Sequence, residues 1–305
     1  DNLPANGPML RGIVTEFAVL IDPRLAAWIE AEVSFPCCMV DRITPATTKS
    51  DLDRIAAAEG QLDLAAVVHE PFRQWVIEDD FPSGRPDWAV AGAQFVSDVE
   101  RHELMKLRCL NGTHSTLAYL GYLAGHETIS DAVANPAFSA LCRRLWQNEI
   151  LPTLPAPEGE DLPAYCESLL DRYRNPAIRH RTWQIAMDGS QKLPQRILAT
   201  IKDRMARGAM PDGLCLVVAG WIRYVGGRDE TGAPIIDETT GQPRKYYERG
   251  FPVGIKVSES EDGPHRFYIN NHARFTILYH RDADTDLARV DTAGPAARPD
   301  AVNRR

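Results

Sequence analysis

Apolar positions along this chain change their spacing near residue 95. Ahead of it they come in short runs. Residues 12–17 (GIVTEF) are mostly β-branched or apolar and predict a strand, after which Asp22 with Pro23 behind it opens a helix running to Glu32. Residues 35–46 (FPCCMVDRITPA) and 61–77 (QLDLAAVVHEPFRQWVI) are strand-like runs punctuated by proline. Residues 80–88 (DFPSGRPDW) have the composition of a loop.

Beyond residue 95 the spacing turns helical. Over 99–124, Leu107, Asn111, His114, Ala118 and Gly121 form one line by steps of three and four. Asn135-Pro136 opens a helix over 135–149, an Asp-Leu-Pro start opens another over 161–171, and 191–207 and 213–224 continue the pattern. Residues 226–241 turn to Gly, Pro and acids and read as a linker, 266–280 (RFYINNHARFTILYH) carry a strand signal, and 293–305 read as disordered. The expected fold class is α+β: a unit of alternating strands and helices over 1–97, an all-helical unit over 98–238, and a β-containing tail over 239–305.

Composition narrows the function. The chain has 305 residues, 44% apolar and 25% charged, which suits a globular protein of about two domains at roughly 150 residues each. A net charge of -8 argues against nucleic acid as a partner. The longest apolar stretch, 213–222, is about half the roughly 20 residues a membrane-spanning helix requires. The six cysteines (Cys37, Cys38, Cys109, Cys142, Cys166, Cys215) form neither a CxxC pair nor a zinc-spaced cluster, so reduced thiols and a cytoplasmic location are expected. Asp1 follows no initiator Met or signal pattern, so the sequence is expected to begin part-way through a longer one.

The candidate chemistry lies in KLRCLNGTH. On a regular helix Lys106, Asn111 and His114 fall within an arc of roughly 140°. Asn and His on an apolar line must find partners or forfeit about 1–3 kcal/mol each. A satisfied core Asn and His beside a surface Lys explain the pattern blandly. Alcohol oxidation explains it by a division of labour, with a desolvated Lys as base and Asn and His donating to the substrate oxygen. Gly112 between them permits close approach of a ligand or of another helix.

Residues 106–121 (KLRCLNGTHSTLAYLG), with FPCCMVDRITPAT at 35–47, EPFRQWVIED at 70–79 and DGSQKLPQR at 188–196, resemble the mannitol dehydrogenase family. These are the polyol-specific long-chain dehydrogenases that include fructuronate reductases, and the similarity covers about residues 1–237. The resemblance implies metal-independent hydride transfer between a secondary alcohol and NAD, acting on a small polyol or keto sugar acid. It implies Lys106 as general base, with Asn111 and His114 binding and polarising the reacting oxygen. Asn2, Asp41 and Lys192 match positions that contact substrate in the family, although Asp41 equally suits a loop cap. Gln184 stands where mannitol-specific members tend to carry Arg, which leans toward the fructuronate reductase branch. Glu103, one turn before Lys106, reads as its ion-pair partner rather than as a proton relay.

Two features depart from the family. Family members begin with a Gly-rich nucleotide-binding half and no GxGxxG loop occurs in the chain, so the resemblance implies that 1–97 is the C-terminal remnant of a truncated Rossmann-type domain, that most of an NAD site is missing and that this piece is inactive alone. Residues of about 245–290 resemble instead the lumenal domain of nonaspanins, which implies a fusion or mis-joined sequence and, as the alternative function, a non-catalytic interaction segment. Three weaker patterns read as background: the Asn111-Gly112-Thr113 sequon, the spacing of Asp282, Asp284 and Asp286, and the His272 and His280 pair.

Overall fold

The computed structural model describes residues 3–226 and, beyond them, the backbone of short strands at Tyr247–Glu248, Phe251–Pro252, Ile255–Ser258, His265–Ile269, Thr276–Arg281 and Ala288–Ala293. The last four strands pair antiparallel in sequence order. The expected linker from 227 on and the expected disordered tail beyond 293 lie outside the described residues. So does most of the nonaspanin-like stretch, including Asp282, Asp284, Asp286 and His272.

Helix α1 (Asn6–Ile21) takes the place of the strand expected over 12–17. A six-residue apolar window cannot separate helix from strand, whereas Leu10, Ile13, Phe17 and Leu20 are spaced at the helical period. Those four side chains are exposed, as is Trp28 on α2 (Pro23–Glu32). Helix α2 starts as its sequence requires: Asp22 accepts a hydrogen bond from the Arg24 N–H and Pro23 sits at the first turn.

Of the two proline-punctuated runs, only β1 (Cys38–Asp41) and β2 (Gln74–Glu78) are strands. Between them, α3 (Lys49–Glu59) begins at a reciprocal Thr48–Asp51 capping box. Strand β2 lies between β1, antiparallel with Cys38 opposite Ile77, and β3 (Ala93–Val96), parallel with Trp75 opposite Ala93. Met39 and Val76 are buried against Val99, while Val40 and Trp75 are exposed; Ile77 is buried as well, so the alternation holds along β1 and breaks in β2.

The remainder is helical. Helix α4 (Glu100–Met105) runs through a π-turn at Lys106–Asn111 into α5 (Gly112–Leu123). Then come α6 (Ile129–Ala134), α7 (Pro136–Leu145) capped by Asn135, and α8 (Leu162–Tyr173) capped by Asp161, each cap where the sequence places it. Short helices α9 (Thr182–Ala186) and α10 (Gly189–Leu193) precede α11 (Ala199–Ala206) and α12 (Asp212–Val225). Two further π-turns follow α7 and α10, the second starting at Pro194, which has no N–H to give. No helix among the described residues is long and apolar enough to cross a membrane.

Among the described residues, those up to 114 together with 128–181 form one compact unit, and 115–127 together with 182–226 belong to another. The helical core of the first is built on Met105, Cys109, Leu145, Trp146, Ile150 and Leu169, all fully buried. That of the second is built on Leu117, Tyr119, Ile197, Ile201, Val218 and Trp221. Gly189 lies in the second core, where a Cβ would collide with the Trp221 indole nitrogen and the Tyr119 hydroxyl. Gly189→Ala is therefore expected to lower stability by about 1–3 kcal/mol, as overpacking does, measured by urea unfolding.

Candidate active site

The chemistry-bearing segment lies on a helix that is not regular, which corrects the uniform 100° spacing read from the sequence. The Gly112 N–H bonds the Leu107 carbonyl five residues back. A turn closed at five residues instead of four brings Lys106 and Asn111, five apart, nearer to one face than regular pitch allows. Lys106, Asn111 and His114 are all buried, at 6, 6 and 7% exposure. The bland alternative of a surface lysine is thereby excluded.

Side chains from the following turn and from neighbouring helices donate to the carbonyls of the widened turn. The Cys109 oxygen accepts from Trp146 Nε1 at 3.0 Å and from Thr113 Oγ1 at 2.6 Å. The Leu110 oxygen accepts from the Tyr173 hydroxyl at 2.7 Å, and that hydroxyl lies 3.0 Å from Thr113 Oγ1. The Tyr173 ring also packs against the His114 imidazole, with centroids 5.2 Å apart, and His180 meets the same imidazole edge-on at 5.0 Å. The Asn111 carboxamide belongs to the same turn. Its amide nitrogen, Nδ2, is buried and has no hydrogen-bond partner among the described residues.

Glu103 and Lys106 share a narrow cleft with Cys38, Met39 and Leu107. Glu103 Oε2 accepts from the Ala5 N–H at 3.2 Å, while Oε1 is buried without a hydrogen bond among the described residues. Burial pushes the Glu103 carboxyl above the usual range and Glu100 adds to the rise; the Ala5 N–H and the Lys106 charge pull against it.

Asp41 stands at the end of β1 and is 1% exposed. Arg172 on α8 bonds both its oxygens, Nη1 to Oδ2 at 2.9 Å and Nη2 to Oδ1 at 2.7 Å, and the Tyr165 hydroxyl reaches Oδ2 at 3.1 Å. The same guanidinium bonds Glu70 through Nε and Nη2 and lies 4.0 Å from the centre of the Phe72 ring. Burial lowers the Arg172 proton affinity, but the bonds to Asp41 and Glu70 outweigh it and hold the guanidinium above its ordinary value. Asp41 is thus neither a loop cap nor an unengaged acceptor, although Oδ1 retains one acceptor position. Arg172, Glu70, Tyr165, Tyr173 and Trp146 escape the sequence reading. Their signal is slight: Arg172 sits between Leu169 and Tyr173, buried residues of one amphipathic helix.

Of the remaining expected residues, Asn2 lies outside the described residues. Lys192 lies on α10 in the second unit, half-buried, and its Nζ donates to the Met187 carbonyl at 2.6 Å. The first unit therefore carries Lys106, Asn111 and His114 on one buried helical stretch and sets Asp41 in its own ion-pair network.

Two family profiles match the chain: the mannitol dehydrogenase Rossmann domain over residues 1–90 and the mannitol dehydrogenase C-terminal domain over 98–250. A D-mannonate oxidoreductase of Escherichia coli strain K12 is 55% identical over 235 residues, 77% of this chain and 48% of that protein. A mannitol 2-dehydrogenase of Aspergillus fumigatus is 41% identical over 237 residues, 77% of this chain and 47% of that protein. Among solved structures, the ternary complex of Pseudomonas fluorescens mannitol 2-dehydrogenase with NAD and D-mannitol aligns at a TM-score of 0.70 and 41% identity, covering 77% of this chain and 48% of that one. The chain spans about half the length of the curated relatives it matches. No match supports the resemblance to nonaspanins or the non-catalytic alternative drawn from it, and the C-terminal-domain match itself runs to residue 250.

Two outcomes follow from the buried charges. Arg172→Met leaves Asp41 and Glu70 buried without their cation and is expected to cost about 3–5 kcal/mol in urea unfolding. Because the folded chain holds the Glu103 proton more tightly than the unfolded chain does, that group's stabilising contribution is complete below the ordinary glutamate value of 4.5 and is lost as pH rises through the raised one. Glu103→Gln, which keeps an acceptor for Ala5, is expected to gain stability relative to the parent across that window, read as the difference in melting temperature between pH 4 and pH 7.

Proposed function

We propose, since the chain belongs to the mannitol dehydrogenase family, that the protein carrying it is an NAD-dependent oxidoreductase interconverting a polyol or aldonate with its keto sugar. The observation that carries this reading is the buried, unpartnered Asn111 Nδ2 on the same turn as the buried Lys106. A donor left unmade in an apolar interior costs about 1–3 kcal/mol, and an arriving substrate oxygen explains its retention.

In the oxidising direction Lys106 takes the hydroxyl proton of the substrate. Asn111 and His114 donate to the same oxygen and stabilise the charge that develops on it as the carbon–hydrogen bond breaks. NAD, when bound, supplies the hydride acceptor. In the reducing direction Lys106 returns the proton to the oxygen of the ketone. Proton transfer and charge stabilisation both come from side chains, so the mechanism calls for no metal. This chain's residues act on the substrate side, and none of them is assigned to the nucleotide.

Asn2 and Lys192 complete the reading as contacts to substrate hydroxyls, and Asp41 takes part through its remaining acceptor position. Gln184 and the identity to the D-mannonate oxidoreductase favour a sugar acid over mannitol. The six free cysteines suit a reducing cytoplasm.

The test is Lys106→Ala in the protein that carries this chain, assayed with NADH against fructuronate and fructose. A general base of this kind contributes about 10²–10⁴-fold, so kcat should fall by that factor on the preferred substrate. Undiminished turnover would remove Lys106 from the mechanism.

A further inference from the structure

Tyr173 closes α8 and is 3% exposed, yet its hydroxyl is not placed as a core tyrosine's need be. A hydroxyl at such depth costs free energy unless it is bonded, and phenylalanine would fill the same space without that cost. This one is bonded to the carbonyl of Leu110, the residue immediately before Asn111, and lies against Thr113, the residue immediately before His114. Its ring meanwhile packs on the imidazole of His114.

We propose that Tyr173 is a positioning residue of the active site, fixing the peptide plane that carries Asn111 and the ring plane of His114. This rests on the oxidoreductase reading above and deepens it. The Leu110 carbonyl and the Asn111 N–H belong to one rigid peptide unit, so a hydrogen bond that holds the carbonyl also sets the direction in which the Asn111 side chain leaves the helix. A widened turn needs such a hold, because its carbonyls depart from the regular ladder that orients them elsewhere. Trp146 supplies a comparable bond to the Cys109 carbonyl from the end of α7, so the turn is held from two helices. Burial keeps the Tyr173 phenol protonated well above its usual range, which preserves it as a donor at any working pH.

Tyr173→Phe tests the hydroxyl alone. Ser139→Ala is its control, since the Ser139 hydroxyl is likewise buried and bonds a backbone carbonyl, that of Val133, in the same unit. Two measurements apply: steady-state kinetics in the protein carrying this chain, and NMR of the Asn111 carboxamide and His114 imidazole. Misplacement of a donor by about 1 Å costs on the order of 10²-fold, so Tyr173→Phe is expected to lower kcat by roughly 10–100-fold. Because the interaction lost belongs to the transition state, KM should stay within about 2-fold. The carboxamide and imidazole resonances should move in Tyr173→Phe and stay in place in Ser139→Ala. Wild-type kcat with unmoved resonances, or a loss of activity matched by Ser139→Ala, would reduce Tyr173 to a packing residue.

Lys106→Ala run alongside separates the two levels. If that variant keeps its turnover, the reading of the site fails, and the resonances alone then decide whether Tyr173 positions the turn. Should Tyr173→Phe not fold, Thr113→Val removes a hydroxyl that lies against that of Tyr173 and is expected to shift the same resonances by less; unmoved resonances there overturn the proposal.

Discussion

The first unit depends on one buried cation. Arg172 stands between two carboxylates, Asp41 from the end of β1 and Glu70 from the segment leading to β2, with Phe72 under its guanidinium plane. Taking three charges out of water is expensive, and the arrangement holds because the forked guanidinium meets both carboxylates with short, directed hydrogen bonds. Glu70 is further engaged by the Ile43 N–H at 2.6 Å. The pieces so joined are distant in sequence, and no hydrophobic contact would fix their relative register as strictly.

That network and the turn of the candidate site meet on α8. Arg172 and Tyr173 are neighbours, one bonded to the strand-bearing segments and the other to the carbonyl of Leu110. The helix thus relates the region matched to the Rossmann domain to the π-turn that carries Lys106 and Asn111. The turn itself breaks a rule of regular helices, and a break is stable only where other groups donate to the freed carbonyls. Thr113, Trp146 and Tyr173 supply them. Beside those bonded carbonyls the Asn111 amide nitrogen, like Glu103 Oε1, is buried without a hydrogen-bond partner among the described residues.

Much of the helical half was legible in the sequence, and for local reasons. Asp22-Pro23, Asn135-Pro136 and Asp161 with its following proline are start signals that act within one turn, and each caps the helix it announces. The strand expected over 12–17 failed because β-branched content in a six-residue window is weaker than the helical spacing of the longer stretch around it. The runs at 35–46 and 61–77 were over-read for a related reason: apolar composition marks burial, but pairing needs a partner strand, and only Cys38–Asp41 and Gln74–Glu78 find one another.

The sequence by itself determined the identities and order of Lys106, Asn111 and His114, the caps of the helices, and the motif segments that point to the family. Those are properties of near neighbours along the chain. Only the tertiary structure decided that Lys106 is buried, that the helix carrying it widens at that point, and that Asp41 faces Arg172 across 131 positions of sequence. Burial and hydrogen-bond satisfaction depend on what packs alongside, and a linear pattern holds no record of which distant side chain will arrive.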